Sequence, residues 1–351
     1  MIWLTWRQFR AQALSTAACL AVLAAVLAIT GPHLAHLYAT SGLTSCRAHG
    51  DCSTLSSEFL DRVKAEPVYP ALYFTGIGVL LAAPGLIGIF WGAPLVAREI
   101  EAGTFRLVWT QSVSRTRWLA VKLALTGLAA MAATALLSLV ITWWSSPVFR
   151  TGVSPGNLSY LNRFSPLVFA ASGITPVGYA AFAFVLGVIA GVFARRIAPA
   201  MAVTLGIFTL VQIIVPSVVR PHYPITPARA TATITAGFLD TSFIGFNNGQ
   251  MILPLNIPGA LVNLPGALIL SNRAITPAGH VFVLPSTDCQ AGTVQQCMAL
   301  IASNHLRQLV IYQPASHYWP FQWCEAAIFL ALALALAGFG IWWIRHRRLT
   351  T

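Results

Sequence analysis

Six long apolar runs, parted by shorter polar stretches, set the pattern of this chain. They fall at about Ala13–Thr30, Ala71–Trp91, Lys122–Trp144, Thr175–Ala194, Pro199–Val219 and Phe321–Ile344. Each approaches or exceeds the roughly 18–20 residues that a helix needs to cross the hydrocarbon of a bilayer. The pattern therefore predicts an all-α polytopic membrane protein with six transmembrane helices. Punctuation supports the ends. Gly31-Pro32 follows the first run, and Thr175-Pro176 offers the fourth an N-cap and a first helical residue. The pairs Trp143-Trp144 and Trp342-Trp343 mark membrane interfaces.

The pattern changes outside the runs. On a helix, Ile2, Trp6, Phe9 and Ala13 share a face, while Arg7, Gln8 and Arg10 turn away. That predicts an amphipathic elbow lying in the interface over residues 1–12. Within the second run, Pro84-Gly85 frees backbone groups that a neighbour must satisfy, as a packing kink or as the lining of a path. Residues 220–320 are too apolar for a disordered linker and too rich in proline to span. They hold a tandem repeat, NIPGALV (Asn256–Val262) and NLPGALI (Asn263–Ile269), whose Pro-Gly pairs favour type II turns. Val294, Met298, Ile301 and Leu309 recur at helical spacing and predict an amphipathic helix over about Thr293–Ile311. The expectation is an ordered extracytoplasmic cap.

Composition sharpens the class. Hydrophobic residues make up 57% and charged residues 9%, far below the roughly 25% charged of a soluble domain. A net charge of +12 suggests nucleic acid in a soluble chain, but there is no basic patch interleaved with aromatics. The basic residues instead read as a topological signal. Arg7, Arg10, the connector near residue 100, Arg195-Arg196 and the tail 345–351 fall on one side of the six-span layout. That side is the cytoplasm, so both termini face inward.

The connector, residues 97–121, carries Arg98, Glu99, Glu101, Arg106, Arg115 and Arg117, with Lys122 just beyond. Lipid rejects such a cluster, so it lies in water, where a soluble partner would meet it. Gly103-Thr104 suits a helix stop, and Thr110 or Ser112 a new cap. A plainer alternative is a solvated loop whose charges set topology alone.

Candidate chemistry elsewhere is sparse. No P-loop, H-E-x-x-H or G-x-S-x-G motif is present, so no catalytic residue and no metal site is assigned. Outer cysteines pair most simply as Cys46–Cys52 and Cys289–Cys297, with other connectivities open. Cys19 and Cys324 read as packed thiols, and His33 and His36 as interfacial histidines. Two intramembrane polar groups stand out. Gln212 reads as an interhelical hydrogen-bonding group, and Glu325 either as a functional carboxylate or as one that reaches headgroup water.

The connector also resembles a known family. Glu99-Ile100-Glu101-Ala102-Gly103-Thr104, then Thr110-Gln111-Ser112-Val113-Ser114-Arg115, then Val121-Lys122 is similar to the E-x-E-x-G-T … T-P-V-S-R … G-K run of ABC-2 type transporter permeases. Gln111-Ser112 and Val121 depart from that pattern. The ends, Met1–Gln8 and Tyr312–Gln322, resemble actinobacterial members. The resemblance implies a permease subunit of an ATP-binding cassette exporter in the bacterial cell membrane, not itself an enzyme. It implies that Glu99, Glu101, Gly103, Thr104, Arg106, Arg115 and Arg117 form a coupling loop for a separate ATP-binding subunit. ATP and Mg²⁺ would sit on that partner, with no cofactor on this chain, and a second permease would complete the substrate path. Two alternatives remain: a subunit that senses antimicrobial peptides through the cap, and an enzyme acting on lipid-linked substrates with Glu325, Asp240, Asp288 and His280.

Overall fold

A computed structural model describes residues 2–46, 52–103, 115–151, 162–235, 237–238, 245–247, 250–255, 260–264, 266–283 and 301–346. Six helical segments among them are long and apolar enough to cross a membrane: Arg10–Thr40, Val68–Glu101, Thr116–Arg150, Thr175–Ala194, Ile197–His222 and Ala315–His346. They match the six runs in order, and most are longer.

The first helix, α1 (Ile2–Thr40), is the main difference. It runs without interruption through the expected elbow and through Pro32. Gly31 does not stop it. A Cβ there would meet the ring of Trp143 at 3.0 Å, and Trp144 Nε1–H donates to Thr30 Oγ1 at 2.9 Å. Gly31 is therefore a packing residue, and lateral support carries the helix past its proline.

After α2 (Leu43–Cys46), the polar stretch folds into α3 (Ser53–Ala65), closed at its base by a Cys46–Cys52 disulfide. Phe59, Leu60 and Val63 of α3 are buried with Leu34, Tyr38 and Leu43. The second span is α4 (Val68–Ile87), a π-helical turn over Gly88–Gly92, and α5 (Ala93–Glu101). The irregularity expected at Pro84-Gly85 is displaced by one turn, because α4 continues through Pro84. The third span is α6 (Arg115–Arg150), followed by the short α7 (Pro166–Ala170).

The buried axis is α8 (Thr175–Ala194). Protein covers 83% of its apolar stretch, against 6% for the first span and 17% for the fifth. Arg195, at φ 56°, makes the left-handed turn that ends α8, and α9 (Ile197–Ile214) begins at once. A π-turn, Val215–Val219, and a 3-10 turn, Arg220–His222, finish that span. The last span is α10 (Tyr318–His346).

Between α9 and α10 the cap is β-structured. Strands β1 (Ala228–Thr233), β4 (Leu268–Ile275) and β5 (Arg307–Gln313) form an antiparallel sheet in the order β1-β5-β4. A hairpin pairs β2 (Gly245–Asn247) with β3 (Gln250–Ile252). The amphipathic helix expected over Thr293–Ile311 is overturned in its C-terminal part; residues 284–300 lie outside the described residues. One helical turn at 301–303 is followed by His305 at φ 47°, and then by β5. The period from Arg307 onward is two, since Gln308 and Val310 are buried while Arg307 is exposed. In the tandem repeat, Gly266 has φ 72°, a value that suits a glycine turn, and Leu268-Ile269 open β4.

Candidate functional site: two buried ion pairs along a glycine-lined axis

The axis is built on small residues. Gly88 and Gly92 of the π-turn face Gly187 and Gly191 of α8. A Cβ on Gly88 would lie 2.6 Å from the Ala183 carbonyl oxygen, and one on Gly191 would lie 2.6 Å from that of Ala93. Gly92 against Phe184 and Gly187 against Gly88 are closer still. Both sets are spaced G-x-x-x-G, a pattern that lets helix backbones touch in a membrane, and that spacing was the signal available in the sequence.

At the Ala194 end of this axis sits the first pair. Lys122, 3% exposed, donates to Glu99 Oε1, and its ammonium lies 4.7 Å from the centre of the Trp118 ring. The pair closes the base of the connector by joining α5 to α6. Glu101 acts next to it, because its Oε2 accepts the Ile197 N–H at 3.2 Å and so caps the first turn of α9. Ala102 and Gly103 close α5 by bonding back to Arg98 and Ile100, with Gly103 at φ 71°. Thr104 and Arg106 lie outside the described residues. Arg115 opens α6, and Arg117 is exposed on its first turn. Thus Glu99 and Glu101 brace the loop from within, and Arg98 and Arg117 face outward.

At the Thr175 end sits the second pair. Glu325 of α10 is 0% exposed and does not reach headgroup water. Arg220 approaches it in a fork, Nε to Oε2 and Nη2 to Oε1, each at 3.0 Å. Tyr223 O–H donates to Oε2 at 3.0 Å, and Tyr179 O–H of α8 donates to Oε1. Burial, and then the facing carboxylate, raise the pKa of the Tyr223 phenol, so it stays a donor. The guanidinium also lies 4.2 Å from the centre of the Phe169 ring. Such saturation is what makes a buried pair tolerable, since removing charges from water costs several kcal/mol per ion. One turn away, Gln322 Oε1 accepts from the Ile174 and Thr175 N–H groups and from Thr175 Oγ1. Its Nε2 donates to the Phe169 carbonyl oxygen. The side chain of α10 therefore caps α8, and Thr175 does not cap itself.

Sequence reasoning singled out Glu325 but missed Arg220, Tyr179, Tyr223 and Gln322. By sequence Arg220 opens the segment 220–320, outside the spans. Asp240 and Asp288, the other acids proposed for an enzymatic site, lie outside the described residues, as do Cys289 and Cys297; His280 is exposed. His33 Nδ1 bonds the Tyr69 hydroxyl across to α4, and His36 is exposed. Gln212 does not make the expected interhelical hydrogen bond. Its Nε2 is buried without a hydrogen-bond partner among the described residues. It lines a cavity of about 390 Å³ between α4 and α9, walled by Gly85, Leu86, Phe208, Ile213 and Pro216.

The architecture defines a multi-pass membrane protein in which two buried ion pairs fasten helices together. The family model described as ABC-2 membrane transporter related matches residues 17–220, more than half of the chain, and the chain belongs to that family. It is thus a transporter permease component, of a kind that associates with an ABC ATP-binding subunit. No curated protein and no solved structure matches the chain. The match ends at Arg220, where the cap begins, so Glu325 lies beyond it.

Proposed function

We propose that this chain is the permease subunit of an ATP-binding cassette exporter in the cell membrane, with both termini cytoplasmic. A separate subunit binds ATP and Mg²⁺ and docks on the connector between α5 and α6. The observation that carries this reading is the brace beneath the connector. Glu99–Lys122 ties α5 to α6, and Glu101 ties the same loop to the start of α9. A push on a braced loop moves three spans as one body, whereas a push on a free loop only bends it. Arg98 and Arg117 are exposed beside the brace and add positive charge to that surface. The cavity between α4 and α9, with a Gln212 Nε2 that has no partner among the described residues, supports a substrate path on that face, completed by a second permease.

The enzymatic alternative loses support at Glu325. A carboxylate with both oxygens occupied by a guanidinium and two phenols is poorly placed to exchange protons with a substrate.

The test is reconstitution with the ATP-binding subunit in proteoliposomes. Arg98→Glu with Arg117→Glu is expected to abolish co-elution and ATP-coupled transport while the permease remains folded. Intact coupling in that variant, or ATP hydrolysis by the isolated chain, overturns the reading.

A further inference from the structure

The sheet of the cap has two unlike faces. In the register of β1-β5-β4, Ala230–Val310–Asn272 and Ala232–Gln308–Ala274 form rows on the buried face. The opposite face carries Arg229–Ile311–Ser271, then Thr231–Leu309–Arg273, then Thr233–Arg307–Ile275. Each of these three rows holds one arginine, and all three arginines are exposed. None of them makes an ion pair or a side-chain hydrogen bond among the described residues. No acidic residue occurs among the described residues of the cap. Arginine keeps its charge at any physiological pH, so this face is permanently cationic.

The direction of the strands fixes how the charges are arrayed. Gln313 ends β5 just before the turn that opens the last span, and its Nε2 donates to the Ile225 carbonyl oxygen just ahead of β1. The Arg229 row is therefore nearest the spans and the Arg307 row farthest. Successive rows on one face are about 7 Å apart along the strands. An elongated anion lying along the strands meets all three levels of such a ladder. Same-side residues of an extended peptide repeat at that same spacing of about 7 Å. Leu309, Ile311 and Ile275, half-buried between the arginines, give the methylene groups of acidic side chains apolar contact that a bare phosphate polymer does not use.

We infer that this face is a docking surface for an extended peptide with a carboxylate at every second residue, aligned with β5. Carboxylates pair with Arg229, Arg273 and Arg307 through charge-assisted hydrogen bonds. The same charge repels cationic peptides, which disfavours the cap as a sensor of that class. The inference does not depend on the permease reading.

The full chain in nanodiscs is titrated against a fluorescein-labelled decapeptide of alternating Glu and Val, and against its Gln-for-Glu counterpart, by fluorescence anisotropy. The Glu peptide is expected to bind, to weaken with added salt, and to bind about tenfold or more weakly to the Arg229→Gln, Arg273→Gln, Arg307→Gln triple variant. The single Arg307→Gln variant is expected to weaken binding by an intermediate factor. Equal binding of the two peptides, or no loss in either variant, overturns the inference. So does tighter binding of a glycerol-phosphate polymer or of phosphatidylglycerol vesicles than of the Glu peptide.

Discussion

Glu325 shows how one residue's surroundings decide its role. By position it sits two residues from Trp323, close enough to an interface to be solvated. In the fold it is sealed under Arg220, Tyr179 and Tyr223, joining the start of the cap to α8 and α10. Removing one member of such a pair strands the other charge in a low-dielectric interior, which costs about 3–5 kcal/mol. Glu325→Gln is therefore expected to lower stability by that order, read by equilibrium unfolding in detergent. Replacing both partners with apolar residues, Glu325→Leu with Arg220→Met, is expected to cost less than the sum of the two single changes. Strict additivity of the singles would show that the pair is not coupled. The same logic applies to Lys122. A lysine at the head of an apolar run reads as a loop charge, yet its partner Glu99 draws it inside.

At the scale of elements, α8 and the π-turn before α5 belong together. The π-turn widens the second span where Gly88 and Gly92 meet Gly187 and Gly191. Lipid supplies no hydrophobic drive for helices to associate, so close backbone approach and van der Waals contact hold the seam. Gly187→Ala places a methyl group on the Gly88 carbonyl and is expected to lower the thermal unfolding midpoint markedly and to reduce assembly. Gly206→Ala, on α9 where a Cβ meets nothing within 4 Å, is expected to be silent. Similar losses in both variants would mean that the seam is not special. The cap shows the opposite lesson. Ile301 and Leu309 have helical spacing, but His305 breaks the backbone between them, and the pairing of β5 on both edges makes a period of two.

For the whole molecule, the ordering of charge predicts an orientation. Arg195-Arg196 and the α5–α6 connector lie at one end of α8, and the cap lies at the other. A single cysteine placed at Arg196 is expected to react with a membrane-impermeant maleimide only after the cells are permeabilised. A cysteine at Thr231, exposed on the cap, is expected to react in intact cells. The reverse labelling would place the connector outside and remove the basis for its docking on an ATPase. The native cysteines Cys19, Cys289, Cys297 and Cys324 are replaced by serine in both variants.

The sequence by itself determined the class, the number and order of the spans and the family, because length and hydropathy answer to the bilayer and not to any neighbour. It also marked the connector, since lipid rejects clustered charge wherever a chain folds. Only the tertiary structure decided what Gly31, Pro84, Gln212 and Glu325 do. A glycine is a stop or a contact depending on whether a tryptophan lies beside it, and a carboxylate is wet or sealed depending on which arginine reaches it. Those partners are far away along the chain, and the period of a single segment carries no record of them.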